Sequence, residues 1–229
     1  LPAFFHKLEK RRNVVAIAER LPRDVLRGHD NYADKFDPHV WMNPELWQLV
    51  VLEVRDVLSE TRPHAAEVFQ TNAKAHLVDL ERLATYASQS LASVPPKARV
   101  LLTAHDAFGY FGDAYGVEVL GIQGISTESE AGLNRIGELV DFLVDRKVAA
   151  VFVESSVSDR NMRALIEGVQ SRGHEIPIGG ELFSDAMGPD GTYESTYIGM
   201  LDHNITTITA ALGGESPSRG MDGKLSAGY

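Results

Sequence analysis

The sequence contains no cysteine. Disulfide bonds, thiolate metal ligands and a thiol nucleophile are therefore excluded, and the absence is compatible with an oxidising compartment. No apolar run approaches the roughly 20 residues that cross a bilayer as a helix. Basic residues are also in deficit, with 22 Lys and Arg against 32 Asp and Glu, for a formal net charge of −10. Because nucleic acids and anionic membranes attract basic surfaces, neither is expected as the main partner.

What remains is the composition of an ordinary globular protein, with 229 residues, 44% hydrophobic and 24% charged. This length is enough for one large domain or two small lobes. The chain opens without Met on residues 1–12, whose apolar positions suit one face of a helix. We expect these residues to continue a longer exported chain. Residues 13–19 (NVVAIAE) predict a short buried strand.

Two proline-initiated helices follow. Pro44 suits a first helical turn, and apolar residues at positions 46, 50, 54 and 57 predict a helix that begins there and buries one face. Pro63 begins a second pattern that continues to about Ser93. A helix of that length extends roughly 45 Å, which is long for a single small core. We therefore interpret residues 63–93 as a rigid connecting helix.

Beyond the connecting helix, strand and helix patterns alternate. Apolar strands are predicted at 99–104, 117–123, 149–155 and 176–182, and helices at 107–115, 131–146, 158–172 and 196–212. This alternation predicts an α/β fold with a parallel sheet covered on both faces. Residues 214–229 are rich in Gly and Ser, and we predict a disordered tail there.

Polar residues follow three of these strands. His105 and Asp106 come after the first, Glu154 lies at the end of the third, and Asp185 follows the fourth. Each residue alone has an ordinary explanation as a cap or turn residue. The carboxyl ends of parallel strands, however, meet at one edge of the sheet, where ligands bind. Their convergence there favours a binding site.

A further histidine, His39, lies in the stretch FDPHVW. Wedged between an Asp-Pro turn and a Trp, it has no evident packing role. Two imidazoles and a carboxylate suit Zn²⁺, Mn²⁺ or Fe²⁺. Spacing alone does not establish a metal site, since there is no HExxH motif and no pair of histidines at helical spacing on a plausible site.

Four stretches carry a resemblance to a known family: DPHVWMNPELW, TAHDAFGYFGDAYGVEVLGIQGISTESEAG, VFVESSVSDRNMRAL and GGELFSDAMGPDGTYESTYIGMLDHNITTI. Their order and content resemble the solute-binding proteins of zinc and manganese ABC importers, and the likeness extends over about residues 1–213.

The resemblance implies two Rossmann-like lobes with parallel sheets, joined by one long rigid helix, with a metal ion between the lobes. The implied division is a partial N-terminal lobe at 1–62, the linking helix at 63–94 and a C-terminal lobe at 95–213. Carried over by motif, the metal ligands are His39, His105 and Asp185. Glu154 and Asp106 are candidates for contacts behind the ligands.

The sequence departs from the family pattern in one respect. The family takes a fourth ligand, also His, from an earlier DPH-type motif, and this sequence contains no second DPH. We expect that ligand, together with the first part of the N-terminal lobe, in a segment upstream of residue 1. His6 and His29 lie outside the motif and are not assigned as its replacement. His64 and His76 on the long helix and His203 on the last helix are interpreted as surface or core histidines.

The implied function is an extracytoplasmic receptor that captures Zn²⁺ or Mn²⁺, with Fe²⁺ as a third candidate, and delivers it to the membrane permease of an ABC importer. It would be a monomer without enzymatic activity, in the periplasm or on the outer face of the cytoplasmic membrane. Zinc is slightly favoured over manganese because His105 stands where manganese-selective members tend to have a carboxylate.

Two other classes of function stay open at this stage. A surface adhesin could use the same residues for a structural metal. A zinc hydrolase would need an open coordination position and a general base, for which Asp106 or Glu154 could serve. Metal-dependent stabilisation would favour the receptor over the adhesin, and turnover would identify the hydrolase.

Overall fold

The structure, a computed structural model, describes residues 14–29, 32–125 and 132–226, together with positions 5, 7 and 8. The predicted N-terminal helix at 1–12 lies largely outside the described residues. The strands are β1 Gly28–His29, β2 Tyr32–Phe36, β3 Val100–Thr103, β4 Glu118–Gly121, β5 Val151–Glu154 and β6 Ile178–Leu182. The α-helices are α1 Pro44–Thr61, α2 Ala66–Ser93, α3 Gly109–Tyr115, α4 Leu133–Arg146, α5 Arg160–Ser171 and α6 Tyr197–Ala211.

The centre of the molecule is built from parallel strands, as the sequence pattern predicts. β3 pairs with β4 and β5 pairs with β6, both in parallel register, and β3 lies against β5. The α/β class is therefore confirmed. In the described N-terminal residues the only paired strands are the short antiparallel pair β1 and β2.

The two central strands, β3 and β5, are buried on both faces, which explains their continuous apolar sequences. β4 and β6 flank them and begin on the exposed residues Glu118 and Ile178. Leu101 and Phe152 pack into a core formed with α2, α3 and α6. Their neighbours Val100 and Val151 point to the opposite face and pack against α4 and α5. The alternation of side chains along each strand thus divides one apolar run between two cores.

The long helix α2 has 28 residues, equivalent to about 42 Å. A 3₁₀ turn at Pro63–Ala65 precedes it, so the α-helix begins at Ala66 rather than at Pro63. The helix packs against α1 and, in its C-terminal half, against α6. None of the described helices combines the length and the apolar character needed to cross a membrane.

The strand predicted at residues 13–19 is wrong. Residues 14–16 have no regular structure, and Ile17–Arg20 forms a 3₁₀ helix without a buried residue. A strand needs a neighbour to receive its backbone hydrogen bonds, and no described strand pairs with this segment. The segment is instead held by side-chain packing, since Ile17 packs against the apolar cluster of Leu21, Val40 and Val50.

The composition predicts a disordered C-terminal tail, but its described part, residues 214–226, packs against the rest of the protein. Leu225 is fully buried. The backbone N–H of Met221 donates to the buried carboxylate of Asp202 at 2.9 Å, and that of Ser226 donates to Glu194 at 2.6 Å. Two acidic side chains of the C-terminal region therefore hold the segment, although its composition is that of a flexible chain.

Candidate metal centre

His39 lies in the turn that connects β2 to α1, and it is 3% exposed. The Asp37 carboxylate accepts hydrogen bonds from the His39 backbone N–H at 2.9 Å and from its ring Nδ1 at 2.7 Å. A carboxylate accepts but does not donate, so Nδ1 carries the proton and Nε2 keeps its lone pair free for a ligand. The turn begins at Pro38, whose fixed backbone angle helps to set its shape.

The ring of His39 is packed as well as hydrogen-bonded. Trp41 contacts it edge-on, with ring centroids 5.2 Å apart. The indole N–H of Trp41 donates to the backbone carbonyl of Ser184 at 2.9 Å, and the hydroxyl of Tyr197 donates to the Trp41 carbonyl at 2.8 Å. The first bond ties the His39 turn to the loop that carries Asp185, and the second ties it to the start of α6.

His105 follows β3 directly and is fully buried. Its backbone N–H donates to Glu154 Oε1 at 2.8 Å, and its Nδ1 lies 2.7 Å from Glu154 Oε2. The ring N–H is not directed closely enough along that line to make a regular hydrogen bond, but the short distance makes a strong electrostatic contact. Glu154 therefore stands behind His105 as Asp37 stands behind His39.

A close backbone approach fixes the His105 loop. A side chain at Gly121, the last residue of β4, would lie 2.7 Å from the backbone nitrogen of Asp106 and 2.9 Å from the carbonyl carbon of His105. Such distances are shorter than van der Waals contact, so the loop can pack here only against glycine. The hydroxyl of Thr103 also donates to the His105 carbonyl at 2.8 Å.

Asp185 lies beyond the end of β6, and its side chain is 37% exposed. The loop before it is anchored by Asn204, whose side chain accepts from the backbone N–H of Phe183 and donates to its carbonyl, at 2.9 and 2.7 Å. Ser184 is buried, and its hydroxyl lies 2.9 Å from that of Ser156. The carboxylate thus projects from a well-held loop and remains partly open to solvent.

The three side chains converge on a small common volume. His39 Nε2 and His105 Nε2 each lie 3.5 Å from one oxygen of Asp185, and the three potential ligand atoms lie within 4.8 Å of one another. Two ligands at about 2.0–2.1 Å from a tetrahedral zinc ion are about 3.4 Å apart. His105 Nε2 is buried and has no hydrogen-bond partner among the described residues. A metal ion bound here would satisfy it.

The carboxylates change the pKa values of both imidazoles. Burial lowers the pKa of His105, but Asp185 and Glu154 outweigh this effect and raise it to about 9. At His39 burial acts in the same direction, and Asp185 and Asp37 again raise the pKa above its ordinary value. The two imidazoles, His105 first, hold the pKa of Asp185 well below its usual range. The site therefore attracts positive charge.

The other residues considered from the sequence lie differently. Glu154 contacts His105, as described, whereas Asp106 faces a neighbouring cavity that Arg27 and Arg135 also line. Among the described residues, the group that could share an ion consists of His39, His105 and Asp185. His64 lies exposed in the turn before α2, and His203 contacts the carbonyl of Glu181 from α6.

The sequence analysis missed two residues that support the site, Tyr110 and Arg27. Tyr110 donates from its hydroxyl to the Asp37 carbonyl at 3.0 Å. The Arg27 carbonyl accepts the backbone N–H of Asp37 at 2.9 Å. In the sequence, Tyr110 lies within the aromatic stretch AFGYF and looks like a core residue, which its 2% exposure also makes it. No local pattern distinguishes its hydroxyl from that of any other buried tyrosine.

Comparison with known proteins finds a matching family and similar metal-binding proteins. It matches the family described as zinc-uptake complex component A, periplasmic, over residues 1–211. It is 46% identical to the manganese-binding lipoprotein MntA of Bacillus subtilis over 206 residues, which are 90% of this chain and 67% of that protein. It is 47% identical to the zinc-binding protein TroA of Treponema pallidum over 208 residues, which are 91% of this chain and 67% of that protein.

The solved structure of the periplasmic zinc-binding TroA from Treponema pallidum superposes with a TM-score of 0.87. The match covers 91% of this chain and 74% of that structure, at 47% identity. The chain thus spans about two thirds of the length of the two relatives it matches.

Proposed function

This chain belongs to the family of the periplasmic component A of zinc-uptake complexes, and on that premise we propose that it is an extracytoplasmic receptor for a divalent transition metal. It would capture the ion and deliver it to the membrane permease of an ABC importer. The ion would then be the transported substrate, which the protein binds and later releases to the permease without chemical change. We accordingly propose that the protein has no enzymatic activity and acts as a monomer.

The observation that carries this proposal is the arrangement of two histidines about one carboxylate. His39 and His105 direct Nε2 to within 3.5 Å of the two oxygens of Asp185. Each Nδ1 lies 2.7 Å from a carboxylate behind it. Metal-binding histidines are commonly held in this way by a second carboxylate, which fixes the tautomer and raises the basicity of the ring.

We propose His39, His105 and Asp185 as the metal ligands, with Glu154 supporting His105 from behind. Asp106, the other candidate for a supporting role, lines the neighbouring cavity with Arg27 and Arg135. His39 precedes the long helix α2, whereas His105 and Asp185 follow it. This agrees with the proposed division into an N-terminal lobe up to residue 62, a linking helix at 63–94 and a C-terminal lobe from 95, with the ion between the two lobes.

The proposed cargo is Zn²⁺ or Mn²⁺, with zinc first. Two imidazole nitrogens and one carboxylate oxygen are a suitable donor set for either ion, and imidazole favours zinc in the Irving–Williams order. The relatives include both kinds, since TroA is named a zinc-binding protein and MntA a manganese-binding lipoprotein.

Metal analysis of the purified protein tests the proposal. After removal of bound metal with a chelator, calorimetric titration with Zn²⁺ and then with Mn²⁺ is expected to show binding of about one ion per chain. Competition between the two ions would identify the preferred cargo. A protein that binds neither ion at micromolar concentration would contradict the receptor function.

A further inference from the structure

We propose that Tyr110 and Arg27, with Asp113, form an interlobe latch that holds His39 in position and slows the release of the bound metal. The inference rests on the proposed function, because it concerns retention of the same ion. The residues are positioning residues: they act on the ion through Asp37 and His39. Tyr110 and Asp113 lie on α3, in the region after the long helix α2, whereas Arg27, Asp37 and His39 lie before it.

Tyr110 reaches across to the N-terminal region. Its side chain is 2% exposed and packs in the apolar cluster of Leu21, Val40 and Val50. The hydroxyl accepts the backbone N–H of Arg27 at 3.0 Å and donates to the carbonyl of Asp37 at 3.0 Å. Because water is largely excluded, loss of this one oxygen would leave both a donor and an acceptor without a partner.

Arg27 forms the second part of the latch. Its guanidinium pairs with Asp113 and passes over Gly109, where an added side chain would lie 2.7 Å from Arg27 Nε. The same Nε lies 3.7 Å from Asp37 Oδ2, which is too long for a hydrogen bond but close enough for attraction between charges. Arg27 thus links the exposed carboxylate of Asp113 to the buried carboxylate of Asp37.

Both parts of the latch converge on Asp37, and Asp37 orients His39. The backbone N–H of Asp37 donates to Arg27 and its carbonyl accepts from Tyr110, while its carboxylate holds the Nδ1 of His39. On the other side, Tyr110 lies five residues after His105. The latch therefore joins the backbone just before His39 to the backbone just after His105. Movement of His39 away from a bound ion would strain these bonds.

The test compares two tyrosines of the same helix. Tyr110→Phe keeps the ring and removes the hydroxyl that makes both bonds. Tyr115→Phe is the matched control, since the Tyr115 hydroxyl is buried and has no hydrogen-bond partner among the described residues. Each protein is loaded with Zn²⁺, and its release to an excess of chelator is followed by stopped flow. We expect release about tenfold faster for Tyr110→Phe and unchanged release for Tyr115→Phe.

Two further measurements separate positioning from general destabilisation. The association rate should change little in Tyr110→Phe, because most differences between related complexes lie in dissociation. The visible spectrum of bound Co²⁺ should shift in Tyr110→Phe, because the His39 geometry relaxes, and should not shift in Tyr115→Phe. If Tyr110→Phe does not fold, Asp113→Asn replaces it, since the Asp113 side chain is 63% exposed and can be neutralised without disturbing the core.

The results distinguish failure of the latch from failure of the proposed function. Zn²⁺ binding by the unaltered protein together with wild-type release from Tyr110→Phe and Asp113→Asn would overturn the latch alone. Absence of binding of both Zn²⁺ and Mn²⁺ by the unaltered protein would overturn both. Faster release in Tyr110→Phe, with Tyr115→Phe unchanged, supports the latch.

Discussion

His105 and Glu154 meet at the carboxyl ends of two neighbouring strands, with Nδ1 and Oε2 2.7 Å apart and both side chains buried. The same carboxylate accepts the backbone N–H of His105 through its other oxygen, at 2.8 Å. A buried carboxylate of this kind is costly unless it is paired. Here it fixes both the backbone and the ring of one histidine, and leaves Nε2 as the atom available to a ligand.

The first prediction concerns the three proposed ligands. His39→Ala, His105→Ala and Asp185→Ala should each weaken Zn²⁺ binding by more than about a hundredfold. Structural zinc sites bind with roughly 10–16 kcal/mol spread over about four ligands, so one ligand contributes several kcal/mol. Calorimetric titration measures the effect, and His64→Ala is the control because that histidine is exposed before α2. Unchanged affinity in all three variants would refute the assignment.

The second prediction concerns the support of His105. Glu154→Gln keeps a side-chain oxygen for the His105 backbone but removes the negative charge beside Nδ1. Loss of such a partner typically lowers metal affinity about 10–100-fold. Titration with Zn²⁺ should show that decrease, whereas Glu118→Gln, on the exposed side of β4, should bind as the unaltered protein does. Equal affinities in the two variants would mean that Glu154 has only a structural role.

Much of this site follows from sequence. Continuous apolar runs predict β3 and β5 because strands buried on both faces need no alternation. Polar residues after the predicted strands indicate the edge where His105 and Asp185 meet. The exact distances could not be predicted, since they depend on contacts such as Trp41 with Ser184, which are 143 residues apart in the chain.

The two wrong predictions have a common cause. Residues 14–16 have strand-forming side chains but no described partner strand, and the Gly- and Ser-rich tail finds hydrogen-bond acceptors in Glu194 and Asp202. In both segments tertiary contacts decide the structure, and local composition does not report them.

The third prediction tests the packed tail. Asp202 is fully buried and accepts hydrogen bonds from the Met221 backbone at 2.9 Å and from the Tyr193 hydroxyl at 3.2 Å. Asp202→Ala should therefore lower the free energy of unfolding by about 1–3 kcal/mol, because several donors lose their acceptor. Urea unfolding measures the change. The control, Asp190→Ala, removes a carboxylate exposed in the preceding loop. Equal stability of both variants would show that the tail contacts contribute nothing.

The fourth prediction concerns pH. The carboxylates beside His105 raise its pKa from the ordinary value of about 6.5 to about 9, so in the metal-free protein this histidine is protonated at neutral pH. Protonated His105 stabilises the metal-free fold fully below about pH 6.5, and that stabilisation is lost as the pH rises towards 9. Metal binding has the opposite dependence, because the ion must displace the proton.

The increase in melting temperature produced by Zn²⁺ should therefore be larger at about pH 8 than at about pH 6. Differential scanning fluorimetry with and without the ion measures this directly. Calorimetry in buffers of different ionisation enthalpy should in addition detect proton release on binding. Equal shifts at the two pH values, without proton release, would show that His105 is already neutral before the metal binds.

The fifth prediction concerns motion on binding. Helix α2 packs against α1 and α6, and Trp41 and Tyr110 add hydrogen bonds between the regions before and after it. A hinge rotation would break these contacts together, whereas a small concerted shift of the loops that carry His39 and Asp185 would keep them. We therefore expect metal binding to shift loops and tilt the regions slightly. Crystal structures with and without Zn²⁺ provide the test: a rotation of about 30° or more, as in hinged closure, would show that α2 does not restrain the two regions.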